Sequence, residues 1–95
     1  MTTATTATTA IIVPTVNLNG ASRDSLIDQN TAVILMLDDT LRLLYSVAPH
    51  PRDFQTAPAG EYYTARIQHE ARCHLLFRVR TELNTIVEGL LEQGR

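Results

Sequence analysis

The chain predicts an all-α fold: an antiparallel two-helix hairpin with an extended N-terminal arm. Two long segments repeat apolar residues at spacings of three and four, the period of one helical face. A single proline-rich connection separates them. Two helices cannot enclose a core, so copies of the hairpin are expected to assemble into an oligomeric helical bundle.

Residues 1–10, MTTATTATTA, are low-complexity Thr/Ala with nothing large to bury and read as a disordered tail. Residues 11–21 form an arm and turn. Ile11, Ile12 and Val13 are β-prone, but Pro14 lacks a ladder donor, which limits the stretch to an edge strand or an extended arm. Such an arm either packs across a helix or neighbouring subunit, or frays. Residues 22–95 form the hairpin domain. Ser22 is a suitable N-cap, and Asp24 lies in the first turn where the helix dipole favours a carboxylate. The first helix is predicted over about 23–47, with Leu26, Ile27, Val33, Ile34, Leu37, Leu41, Leu44 and Val47 on its apolar face. Pro49 and Pro51 stop it. Residues 48–61 hold three prolines and a glycine, so this long connection is expected to be shaped. The second helix is predicted over about 62–92, with Ile67, Leu75, Leu76, Val79, Leu83, Ile86, Val87, Leu90 and Leu91 among its apolar positions. Gly89 inside it costs up to ~1 kcal/mol against alanine.

Composition narrows the function. The 95 residues allow one domain, too small for a deep private pocket, so a ligand site forms most easily between subunits. The net charge of -2 argues against a binder of DNA or RNA polymers. No apolar run is long enough for a membrane span. One cysteine, Cys73, excludes an internal disulfide and favours a reducing compartment. All eight basic residues are arginine. A genome poor in lysine codons explains this as readily as planar phosphate recognition does.

Four constellations invite chemistry. His69 and Cys73, at i and i+4, share a helical face, a feasible metal pair. No second cluster completes a ligand set, and the zinc-protease pattern fails because cysteine occupies its last position. No metal or cofactor is therefore expected. Cys73 lies mid-helix, away from the termini that stabilise thiolates, and no serine has a nucleophile elbow, so no enzymatic activity is expected. Arg52 and Asp53, held near prolines, either brace the loop or present a cation to a carboxylate or phosphate. Tyr62 and Tyr63 point roughly 100° apart at a helix start, so at most one joins the core. The other either packs on the loop or stacks on a base.

Three stretches occur in order: Asn17-Leu18-Asn19-Gly20-Ala21-Ser22-Arg23-Asp24, then Ala48-Pro49-His50-Pro51-Arg52-Asp53-Phe54, then His69-Glu70-Ala71-Arg72 on a long helix. Together they resemble the hairpin domain of phage anti-CBASS and anti-Thoeris cyclic-nucleotide sponge proteins over about residues 16–91. The short anti-CBASS type is the nearer, because only Ile11–Val16 stands where the anti-Thoeris type carries a larger β portion. The resemblance implies homo-oligomers, commonly hexamers, acting in the cytoplasm of the infected bacterial host. It implies that they sequester cyclic di- or trinucleotides between protomers without cleaving them. The anti-CBASS type uses a lysine on a phosphate, and this chain has none, so that contact falls to arginine or to backbone amides. Residue type and position then nominate Arg23, Arg52 and Arg72 for phosphate, and Phe54, Tyr62 and Tyr63 for base stacking. They nominate Asn17 and Asn19 for base edges and His69 as a further hydrogen bonder. The alternative from another class is a helical interaction or assembly module that binds a protein and no small molecule.

Overall fold

The computed structural model of the protein describes residues 10–94; most of the expected Thr/Ala tail lies outside these residues. Helix α1 spans Arg23–Ser46, a 3-10 turn spans Pro51–Phe54, and helix α2 spans Glu61–Glu92. Among the described residues there is no strand. The helices run antiparallel: Arg23 at the start of α1 meets Leu91 near the end of α2, and Asp38 meets Arg80 midway.

Local chemistry sets each boundary. Ser22 Oγ accepts from the Ser25 N–H at 3.1 Å and caps α1. Past Ser46 the N–H groups of Val47 and Ala48 bond Leu44 O and Tyr45 O, which tightens the last turn ahead of Pro49. The connection is shaped, as expected. His50 Nδ1 accepts from the Arg52 N–H at 3.1 Å, and turns close from Asp53 to His50, Ala57 to Phe54 and Glu61 to Pro58. Gly60 starts α2 with φ +85°, a left-handed conformation that costs glycine nothing.

The segment before α1 meets the end of α2. Val16 donates to Gln93 Oε1 at 2.9 Å, and Gln93 Nε2 donates to Pro14 O at 2.7 Å. Val13 lies so close to Gly89 that a Cβ built there would stand 2.8 Å from a Val13 methyl. Gly89 therefore makes room for Val13.

The core is thin. Ile34, Leu41, Cys73 and Leu90 are its buried apolar side chains, and His69 is buried with them. Several apolar positions expected on the inner faces stand exposed instead: Val33, Val47, Ile67, Leu75, Val79 and Leu91. The reason is geometric. Each helix has one partner, which covers one stripe, while these apolar faces are wider than a stripe. No helix is long and apolar enough to cross a membrane among the described residues.

Candidate functional site

At the loop end, the short turn and the start of α2 bring three aromatic rings together. Phe54 and Tyr62 have centroids 5.9 Å apart at 58°, and Tyr62 and Tyr63 are 5.3 Å apart, edge to face. Such pairs add about 0.5–1.5 kcal/mol beyond area burial. Tyr62 is half-buried while Tyr63 is 60% exposed, so one tyrosine packs inward and its neighbour faces solvent. The Arg66 guanidinium lies 5.5 Å from the Tyr63 ring centre, a cation–π contact.

The arginines divide into engaged and free. Arg23 donates to Leu91 O at 3.3 Å and pairs with Asp24. There it sits at the negative end of the α2 dipole, a favourable place for a cation. Arg42 pairs with Asp39, Arg66 with Glu70, Arg78 with Glu82 and Arg80 with Asp38. Among the described residues, the guanidinium groups of Arg52 and Arg72 are left with no ion pair or hydrogen bond, and both residues are exposed. Arg52 stands two residues before Phe54, and Arg72 about 15 Å along α2 from Tyr62.

The nominated residues fall into two groups. Arg52, Phe54, Tyr62 and Tyr63 gather at the loop end, with His69 and Arg72 further along α2. Asn17, Asn19 and Arg23 lie at the opposite end, against the α2 C-terminus. Arg23 contacts Leu91, and the helical rise from Tyr62 to Leu91 is about 44 Å. One chain does not join these groups. The distal group has a groove of its own, about 460 Å³, lined by Val16, Asn17, Leu18, Gly20, Ser22 and Arg23. Asn17 is committed to its turn: Oδ1 accepts from the Asn19 N–H at 3.0 Å and Nδ2 donates to Thr15 O.

His69 is 7% exposed, and its Nε2 lies 3.6 Å from Cys73 Sγ. These two form one wall of a groove of about 460 Å³ shared with Tyr45, Glu70, His74 and Phe77. A larger groove of about 880 Å³ continues past Tyr45 and Phe77 to Leu35, Asp38, Arg42 and Arg80. Sequence reasoning nominated only His69 among these residues. Tyr45, at i+4 from buried Leu41, carried a signal, but solvent exposure of a ring at that position comes only with the helix pair in view. Among the described residues, no three His, Cys, Asp or Glu side chains converge to hold a metal.

No protein-family model, curated protein or solved structure matches the chain.

Proposed function

We propose that the protein is a non-enzymatic, oligomeric sponge for cyclic di- or trinucleotides, acting in the cytoplasm of a phage-infected bacterium and blocking CBASS-type signalling. The observation that carries this reading is that Arg52 and Arg72 have guanidinium groups without a partner among the described residues and lie on the element pair that builds the Phe54–Tyr62–Tyr63 cluster. A cyclic oligonucleotide presents phosphates and flat bases. Free guanidinium groups suit the former and exposed rings suit the latter. The split of the nominated residues between the two ends favours sites between copies, with the ends of neighbouring hairpins brought together. A hexamer, as the resemblance implies, supplies such pairings.

Isothermal titration with a panel of cyclic di- and trinucleotides tests the reading. Binding is expected for at least one of them, with the ligand recovered intact after denaturation. Arg52→Ala or Arg72→Ala is expected to weaken it roughly 10- to 150-fold, the worth of a charge-assisted hydrogen bond of ~1.5–3 kcal/mol. Melting temperature without ligand should hold in both variants, because neither guanidinium has a partner among the described residues. No heat with any member of the panel sinks the idea.

The second reading, a helical interaction or assembly module, is favoured by the exposed Met36, Leu43, Leu75 and Phe77. It predicts no rise in melting temperature with any cyclic nucleotide, whereas a ligand of the native state raises it by mass action.

A further inference from the structure

One side of the hairpin carries a seam on each helix. On α1, Leu35, Asp38, Arg42 and Tyr45 follow a three-four-three spacing. On α2, Tyr63, Ile67, Glu70, His74, Phe77 and Thr81 alternate four and three. That is the 3.5-residue period with which helices seat against one another in a coiled coil. The two continuous grooves lie between these seams. Leu35, Tyr45, Ile67 and Phe77 along them are each about half exposed or more.

The groove is also matched to itself. Its middle carries two acids and two arginines, Asp38, Asp39, Arg42 and Arg80, which sum to zero charge. Leu35 lies on one side of this polar centre and Tyr45 on the other. A two-fold axis passing α1 near Thr40 and Leu41 sets Asp39 of one copy opposite Arg42 of the second. The same axis brings Leu35 opposite the Tyr45–Ser46 step of the second copy, within one residue, about 1.5 Å, of Tyr45 itself. Opposite charges meet, and apolar groups meet apolar groups, at one register. An isologous interface requires this of a single patch.

We propose that this groove is the face on which a second copy of the chain docks, antiparallel, with Asp39 and Arg42 pairing reciprocally across the two-fold axis. The inference rests on the homo-oligomeric part of the proposed function and adds the face and the register. Asp39 and Arg42 already pair within one chain, with side chains 67% and 71% exposed. Docking shares these charges between copies and removes them from water.

Sedimentation of four forms tests it: wild type, Asp39→Arg, Arg42→Asp and the double swap. The wild type is expected to associate. Each single change sets like charges opposite one another, and should raise the dissociation constant roughly tenfold or more and at least halve the native mass. The double swap restores the pairing and should recover wild-type assembly. An equimolar mixture of the two single variants should do so as well, as mixed pairs. The double swap also separates loss of pairing from loss of fold. Wild-type protein that stays monomeric overturns the proposal, as do single variants that keep the wild-type mass or a mixture that fails to reassociate. Titration of a cyclic nucleotide into the same samples keeps the readings apart. Ligand binding by a monomer removes this interface and leaves the sponge, while assembly without ligand binding does the reverse.

Discussion

Asp38 on α1 accepts two hydrogen bonds from Arg80 on α2, one from Nη2 at 3.3 Å. These bonds hold the Asp38 carboxyl below its ordinary value of 3.8; partial burial opposes them, and the charges of Arg80 and Arg42 add smaller pulls in the same direction. Arg80 is raised in return by the same contact. A carboxyl lowered by folding binds fewer protons in the native state than in the unfolded chain. Its contribution is complete above the unfolded value and disappears as the pH falls through the folded one. Asp38→Asn should therefore lower the melting temperature at neutral pH, with the gap to wild type closing as the pH drops below about 4. Melting temperatures of the two proteins across that range check this. A gap that stays constant to the acid limit would remove the pair from the account of stability. Most other ion pairs here join neighbours on one helix, are well exposed and contribute about 0.3–0.5 kcal/mol at most. Asp38–Arg80 differs because it ties the two helices at their midpoint.

At the scale of elements, Gly89 sets a helical preference against a packing contact. Alanine in a helix interior is favoured over glycine by about 1 kcal/mol. The new methyl would stand 2.8 and 2.9 Å from the two Val13 methyl groups, and Gln93 holds the residues just beyond Val13 through two hydrogen bonds. Overpacking of this kind costs about 1–3 kcal/mol, more than the helix gains. Gly89→Ala should lower stability by about 1 kcal/mol in urea unfolding. Adding Val13→Ala should recover the loss, since the clashing methyl groups are then gone. An increase in stability for Gly89→Ala alone would show that residues 11–16 give way freely. This contact also lies beyond what local sequence pattern displays. The helix bounds, the Ser22 cap and the shaped loop were legible because their causes lie within a few residues: a hydroxyl before a helix, a proline after one. The reason for Gly89, and the seat of Arg23 on Leu91 O, come from segments distant in the chain, so no local pattern carried them. The candidate site divides in the same way. Arg52, Phe54 and the two tyrosines were legible as residue types at a loop and a helix start. Which arginines lack partners depends on where carboxylates fall across the hairpin and within each helix, and only the folded chain displays that.

For the whole molecule, the governing fact is that so few side chains are buried between the two helices while many large apolar ones face outward. Ordering a residue costs about 1–2 kcal/mol in backbone entropy, and a core of this size offsets little of that. The extents of 62 × 39 × 20 Å give a long, thin body with much surface for its mass. Association and folding are then expected to be linked, and melting temperature should rise with protein concentration. A ligand held between copies enters the same linkage. If each site needs residues from both ends of the hairpin, a cyclic nucleotide binds the assembly better than the separate chain. It then strengthens association by the factor by which association strengthens its own binding. At a free concentration about a hundred times its dissociation constant, one such ligand stabilises the assembled state by about 2.7 kcal/mol per site. The expected observation is a dissociation constant between subunits that falls as cyclic nucleotide is added, read by sedimentation over a dilution series. Its counterpart is a ligand affinity that weakens as the protein is diluted toward single chains. A ligand bound with one affinity at every protein concentration, leaving assembly unmoved, places the whole site within one hairpin. The loop-end group around Arg52 and Tyr62 would then act alone, without Asn19 and Arg23 from a neighbour.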